Sequence, residues 1–364
     1  MTTNEGSNPI RAIGLMSGTS LDGVDAAWVQ TDGQTIKAFG PVTTVLYDET
    51  LRADLRQILD MAPTLTLDDQ GLRDVEKRLT LDHALAVAVL GAAADVIGFH
   101  GQTILHAPEA GRTWQIGDAA MLSHFTRLPV VHDFRSADVA AGGEGAPLAP
   151  LFHAAIAKDI EKPLLIVNIG GVANATWLGP DGEIFACDTG PGNGPLDDLA
   201  QKYIGQPYDK DGALAASGKV NLDRLKTLLA HAYFARPAPK SLDRLNFSAL
   251  IAQATEGLPP PDAAATLTAF ICEAIAQTPW PVPPKQVLVS GGGRRNPMLM
   301  AELVARFAVP VLPVEAVGWN GDALEAQCFA FLAVRSLRKL PLSLPTTTGV
   351  NAPQTGGQLY GTIL

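Results

Sequence analysis

Two stretches far apart in the chain share one plan. LMSGTSLDGVDAAWV (15–29) and VNIGGVANATWL (167–178) each run from an apolar strand through a glycine turn into a second strand. A third strand follows each: QTIKAFGPVTTVLY after the first copy, and IFACD, past the turn PDGE, after the second. An internal repeat of this kind constrains the fold more than composition does, because each copy needs a sheet of its own to bury its apolar face. The 364 residues exceed the roughly 100 to 200 of a usual single domain. Two successive α/β domains are therefore predicted. Gly142, Gly143 and Gly145 in AAGGEGAPLAPLFHAAIA put the boundary near residue 140, giving domains at 1–140 and 141–339. The tail 340–364, rich in Pro, Thr and Gly, reads as an extension over the surface that joins the N-terminal domain.

Around the two repeats, DVIGFHGQT and LPVVHDF read as strands. ETLRADLRQILDM, DVEKRLTLDHALAVAVLGAA, NGPLDDLAQKYIG, VNLDRLKTLLAHAYF, AAATLTAFICEAIAQ and NGDALEAQCFAFLAVRSLRK have helical spacing. KQVLVSGGGRRNPMLMAELVARF reads as strand, glycine turn, helix. Asn193, Asn296 and Asn320 stand where N-caps belong, with Pro297 at a first helical position.

A net charge of −10 argues against nucleic acid or an anionic membrane surface as partner. It leaves room for a phosphorylated small molecule, which backbone N–H groups and a metal ion can hold in an acidic protein. Cys187, Cys272 and Cys328 are odd in number and far apart, which suggests neither a disulfide framework nor a zinc site. The N-terminus lacks the apolar core of a signal peptide, and no run reaches about 18 apolar residues. A cytoplasmic protein is expected.

In GTSLDG, Gly18 and Gly23 let the backbone approach an anion, Thr19 and Ser20 can donate hydroxyl bonds, and Asp22 can hold a water of magnesium. The same residues also suit a plain hairpin with capping side chains. A P-loop is excluded, since no GxxxxGK[ST] is present and a strand follows. In ACDTGPGNGPLDD, Asp188 closes an apolar strand ahead of a helix N-terminus, a placement for a base beside an anionic substrate or for an Asx-turn. Asp197 and Asp198 fit the helix dipole. VSGGGRRN, with Glu315 further on, imitates a dinucleotide fingerprint, but Asn296 replaces its third glycine and too little chain remains for that fold. His100 and His106 in FHGQTILHAP fit loop organisation or substrate bonding better than a metal pair. Arg135 suits a carboxylate or phosphate, or an ion pair with Asp138; Glu325 suits the dipole of the last helix or a place facing the cleft.

The tandem units plus the late strand-GGG-helix resemble the superfamily of sugar kinases, heat-shock ATPases and actin. The ordered strings GLMSGTSLDGVDAAW, FHGQTILHAP, DFRSADVAAGGEGAPLAP, VNIGGVAN, CDTGPGN, SGGG with Asn296, and GDALEAQCFAFLA further resemble the anhydro-N-acetylmuramic acid kinase family, from about residue 10 to 357. The resemblance implies two duplicated actin-like ATPase (ribonuclease H-like) domains with a nucleotide cleft between them. It implies ATP and Mg2+ as cofactors, 1,6-anhydro-N-acetylmuramic acid as substrate, and a homodimer. It further implies Asp188 as catalytic base, and Gly18, Thr19, Ser20, Leu21, Asp22, Gly23, Val24 and Asp25 around the ATP phosphates, with Asp22 toward the metal. Asn168, Gly170, Gly171, Gly291, Gly292 and Gly293 would complete the ATP site. His100, Gln102, Thr103, Arg135, Gly190, Asn193 and Glu325 would face the sugar, Arg135 and Glu325 approaching the sugar or the metal. PAPKSLDRLNF departs from the family pattern, in which Thr-Gly more often follows Lys-Ser, so the contacts of Lys240 to Arg244 are left open. Two other readings stand beside this one: a different phosphotransferase of the superfamily, and an actin-like nucleotide switch.

Overall fold

The computed structural model describes residues 8–18, 20–242 and 247–362. Its contacts divide the chain into two units: one runs up to Lys158 and resumes at Ala323, the other runs from Asp159 to Asp322. This differs from the boundaries expected at 140 and 339. The flexible-looking glycines 142–145 belong to the first unit, and so does the last long helix.

The first unit carries β1 (Ile10–Ser17), β2 (Gly23–Thr31), β3 (Ile36–Leu46), β4 (Val96–Ala107), β5 (Arg112–Ile116) and β6 (Val130–His132). The second carries β7 (Leu164–Ile169), β8 (Val172–Leu178), β9 (Ile184–Pro191), β10 (Gln286–Ser290) and β11 (Val311–Pro313). β12 (Gln358–Tyr360) returns from the tail to the first unit. The order in the first sheet is β12-β6-β4-β1-β2-β3, with β5 hairpinned to β4; in the second it is β11-β10-β7-β8-β9. In each, the first three strands form an antiparallel meander and two more add in parallel on the other side of the first strand, β4 and β6 in the first sheet, β10 and β11 in the second. The repeat seen in the sequence is thus a repeat of topology, and the two units are duplicates of one α/β plan.

The tail is more than a covering. β12 pairs antiparallel with β6, Leu359 opposite Val131, and so closes the edge of the first sheet.

The helix Leu324–Leu337 packs on β1 and β4 in the first unit. Its small residues Ala326, Ala330 and Ala333 meet Gly14 and Gly98. A Cβ on Gly14 would lie 1.8 Å from Ala326 O, and one on Gly98 2.1 Å from Phe329 O. Glycine is required at both positions by this backbone contact. In the second unit the helix Pro260–Gln277 is buried on nearly every face, with Leu267, Phe270, Ile271 and Ile275 in the core under the sheet. Asn296 caps its helix by accepting from the N–H groups of Met298 and Leu299, with Pro297 following, as expected. Asn320 does not cap: its Oδ1 accepts from Asp322 N, and the last helix begins after Ala323.

Several histidines are buried. Burial pulls His83, His106 and His153 down to about 4, and His100 well below its ordinary value, with the charge of Arg135 adding to the effect at His100 and His106. The unfolded chain takes up these protons near pH 6.5 and the folded chain does not. Stability is therefore full above about pH 6.5 and falls toward pH 4, by roughly 1 kcal/mol per pH unit for each such group. Urea midpoints measured from pH 7.5 to 4.5 should decline over that window; a level midpoint between pH 7 and 5 would contradict the assignment.

Candidate active site

The first glycine loop is fixed at both ends. At its entry Ser17 Oγ donates to Gln102 Oε1 (2.5 Å) and accepts from Tyr47 Oη (2.7 Å), all three residues being buried. At its exit Tyr47 N donates to Asp22 O (3.1 Å). Leu21 adopts a left-handed φ of 57° and its side chain enters the core, an uncommon backbone state of order 1 kcal/mol that burial offsets. Gly23 is explained by packing, since a Cβ there would lie 2.2 Å from Val45 O. Gly18 is not: the nearest atom to a Cβ is Ser20 Oγ at 3.8 Å, which leaves an open face of the kind an approaching phosphate needs. Leu21 and Val24 are core side chains, so they offer a ligand only main-chain groups. Asp22 is exposed, 3.4 Å from Arg52 Nη2, and Asp25 Oδ1 accepts from Thr44 Oγ1 (2.6 Å). Thr19 lies outside the described residues.

On β4 the structure joins His100 to Arg135. His100 Nδ1 lies 2.8 Å from Gly101 O, and Nε2 accepts from Arg135 Nε (3.2 Å) and Nη2 (3.1 Å). A neutral imidazole suits this role, because its Nδ1–H donates while its other nitrogen keeps a lone pair. Arg135 Nη1 donates to Gly145 O (2.7 Å), and Gly145 N is held by the buried carboxylate of Asp138 (2.7 Å). Asp138 also accepts from Thr348 Oγ1 (2.7 Å) and from Ser343 Oγ, so the tail anchors the loop that orients Arg135. Gln102 is engaged within the protein at both ends, by Ser17 and by its own donation to Thr103 O (3.2 Å). Thr103 Oγ1 accepts from Gln115 Nε2 (3.1 Å). Glu325 stands exposed in the first turn of the last helix.

In the second unit three glycine segments converge on Asn193. Asn193 N donates to Gly170 O (2.6 Å), and the N–H groups of Gly192 and Gly194 donate to Gly171 O (3.0 and 3.3 Å). The side chain of Asn193 does not cap its helix; Nδ2 donates instead to Ile169 O (3.4 Å). A Cβ on Gly293 would lie 2.5 Å from Ile169 Cγ2 and 3.3 Å from Asn193 Oδ1, and one on Gly291 would lie 2.3 Å from Asn168 Oδ1. Gly170 keeps an open face, its nearest neighbour being Val172 O at 3.6 Å. Asn168, Gly170, Gly171, Asn193 and Gly291 to Gly293, scattered in sequence, are one cluster in space.

Asp188 stands within β9, which continues to Pro191, rather than at a strand end as expected. It faces Asn174 of β8, and the register slips just beyond it, where Gly190 pairs with Ala173. Asp188 is 6% exposed, and its Oδ2 accepts from Leu242 N (2.8 Å). A buried carboxylate fixed by a main-chain donor is a defined proton acceptor. Gly190 is packed against Ala274 and Phe234, whose side chains would lie 3.2 and 3.4 Å from a Cβ there. In the segment whose contacts were left open, Lys240, Ser241 and Leu242 are buried, while Asp243 and Arg244 lie outside the described residues.

The family model for anhydro-N-acetylmuramic acid kinase matches residues 10–362. The chain belongs to that family. It is 65% identical over 350 residues to the anhydro-N-acetylmuramic acid kinase of Acidiphilium cryptum (strain JF-5), covering 96% of this chain and 98% of that protein. It is 53% identical over 356 residues to that of Paramagnetospirillum magneticum (strain ATCC 700264 / AMB-1), covering 95% and 98%. With that of Gluconobacter oxydans (strain 621H) it shares 54% over 357 residues, covering 95% and 99%.

In this family member, sequence reasoning missed a groove beside the GGG turn. Arg294, its side chain 5% exposed, donates to Glu315 Oε1 (2.8 Å), Asp322 Oδ1 (2.9 Å) and Gly291 O (2.9 Å). With Arg295, Pro313 and Trp319, the residues Arg294, Glu315 and Asp322 line an open groove of about 580 Å³. Glu315, spaced like a ribose-binding acid, is thus the partner of a buried guanidinium, which holds it below the usual carboxylate range against the opposing effect of burial. The doubled arginine after GGG was the available signal. Lys240 and Leu242 stood in the segment whose contacts were left open; Tyr233 beside Asp188 had no signal, since its approach depends on a loop whose path sequence does not give.

Proposed function

We propose that the chain is an ATP-dependent kinase that opens the 1,6-anhydro ring of 1,6-anhydro-N-acetylmuramic acid with water and phosphorylates O6. The product is N-acetylmuramic acid 6-phosphate, as needed to recycle peptidoglycan, together with ADP. The observation that carries this reading is Asp188, a buried and anchored carboxylate in a chain that matches the family over residues 10–362. A glycosidase needs a second carboxyl group to protonate the departing oxygen. Here the γ-phosphoryl group captures O6, so one base suffices: Asp188 takes a proton from water as the water oxygen bonds to C1, the C1–O6 bond breaks, and O6 bonds to phosphorus as ADP leaves.

Phosphoryl transfer otherwise depends on positioning and charge stabilisation. We assign phosphate contacts to the open face of Gly18 with Ser20, and to Gly170, Gly171 and Asn193; the groove beside Gly291 to Gly293 suits the nucleoside. Arg135, held by His100, is the cation for the sugar's carboxylate, with Glu325 the exposed acid of the same unit. Among the described residues no group of three or more His, Cys, Asp or Glu is placed to hold a metal. Asp22, exposed on the phosphate loop, fits a magnesium ion that rides on the triphosphate, through a water. That ion would neutralise charge on the transferring group. A cytoplasmic homodimer is part of the same reading.

The test is incubation with ATP, magnesium and the anhydro sugar in 18O-labelled water. The proposal expects label at C1 and none in the phosphate ester. Phosphorylation with the ring intact would make the protein another phosphotransferase, and polymer formation without product would make it a nucleotide switch.

A further inference from the structure

A lysine 4% exposed needs a reason, because an ammonium group removed from water is unfavourable unless it is hydrogen-bonded. Lys240 Nζ donates to Tyr233 O (3.0 Å) and Arg236 O (3.1 Å), and lies 4.4 Å from the centre of the Tyr233 ring. Two main-chain carbonyls and an aromatic face replace its water. The ammonium thereby ties residues 233–236 to residue 240 and closes the loop between them.

Both ends of that closed loop act on Asp188. Tyr233 Oη donates to Asp188 O (2.6 Å), Asp188 N donates to Lys240 O (2.9 Å), and Leu242 N donates to Asp188 Oδ2 (2.8 Å). Among the described residues β9 is the last strand of its sheet, with β8 on one side. On the other side the segment around Lys240 to Leu242 supplies what a further strand would have supplied, and adds a donor for the carboxylate. The main chain of Asp188 is held from two directions and one carboxylate oxygen is fixed.

We propose that Lys240 and Tyr233 are positioning residues that hold Asp188 in its reactive orientation, an inference that rests on the reading of Asp188 as the base. The Lys240 ammonium does not touch the reacting atoms; it fixes the loop whose N–H group, at Leu242, fixes the carboxylate. Misplacement of a reacting group by about 1 Å costs on the order of 100-fold in rate.

The test compares Lys240→Met, Tyr233→Phe and Asp188→Asn in a coupled ADP-release assay with the anhydro sugar, with circular dichroism to confirm folding. Lys240→Met should lower kcat about 10- to 100-fold while KM for ATP and for the sugar stay within about twofold. Tyr233→Phe, which removes a single oxygen and serves if Lys240→Met does not fold, should lower kcat about 3- to 10-fold with the same KM values. Folded variants with wild-type kcat would overturn the proposal, as would kcat falling only in proportion to the folded fraction. If Asp188→Asn itself keeps turnover, the base assignment fails, whatever the other two variants do.

Discussion

Asp188→Asn should lower turnover by about 10²- to 10⁴-fold, the range that a positioned general base contributes, and leave ATP binding within a few-fold of the parent. Asparagine keeps the shape of the side chain and its carbonyl oxygen, which can still accept from Leu242 N. It has no carboxylate to take the water proton. The main-chain bonds to Tyr233 and Lys240 do not depend on the side chain, so β9 and the adjoining loop should keep their places. The glycine cluster around Asn193 is built from main-chain contacts and the Asn193 amide, and it is equally indifferent to the change. Single-turnover ADP release with the anhydro sugar, alongside equilibrium ATP binding, separates the two effects. Near-normal turnover would remove Asp188 from the chemistry. A joint loss of turnover and ATP binding would make it a structural residue.

Gly14→Ala should cost at least about 3 kcal/mol and lower the melting temperature by about 10 °C, large for the addition of one methyl group. The new Cβ would lie 1.8 Å from Ala326 O and 2.4 Å from Ala330 N. Both are main-chain atoms inside a helix, so no rotamer change relieves the clash. The whole helix Leu324–Leu337 has to move away from β1, which opens its contacts with β4 as well, where Gly98 meets Phe329 O. Gly111→Ala is the control for helix contact: no atom lies within 4 Å of a Cβ there, so its cost is limited to the left-handed φ of 67°. Thermal unfolding followed by circular dichroism checks both variants. If Gly14→Ala melts within about 2 °C of the parent, far less than the clash demands, the helix does not sit on β1 as described.

Much of the fold was legible because it was repeated. The apolar strands around the two glycine turns mark themselves, and the same order recurs in both sheets. What was not legible depended on partners distant in sequence. The boundary was drawn at Gly142 to Gly145 because glycines look like a linker, yet Asp138, Ser343 and Thr348 hold that stretch in the first unit. The helical spacing of the last helix does not tell which unit it joins; only the glycines facing it on β1 and β4 decide. At the site, the GxG-like strings were visible one by one, but their meeting at Asn193 was not. Asp188 was visible as an acid after an apolar run. That it lies within a strand, with its carboxylate fixed by Leu242, follows from a loop that no local pattern specifies.

The return of the tail to the first sheet sets an order on synthesis. The second unit is continuous in sequence, from Asp159 to Asp322, and has all its strands once its stretch has left the ribosome. The first unit begins earlier but cannot finish with it, because the helix that covers β1 and β4 and the strand that pairs with β6 lie after the second unit in the chain. Domains fold as units during translation, generally from the N-terminus. Here that order is interrupted: the sheet of the first unit is completed only by Leu324–Leu337 and Gln358–Tyr360, which follow the whole of the second unit in the chain.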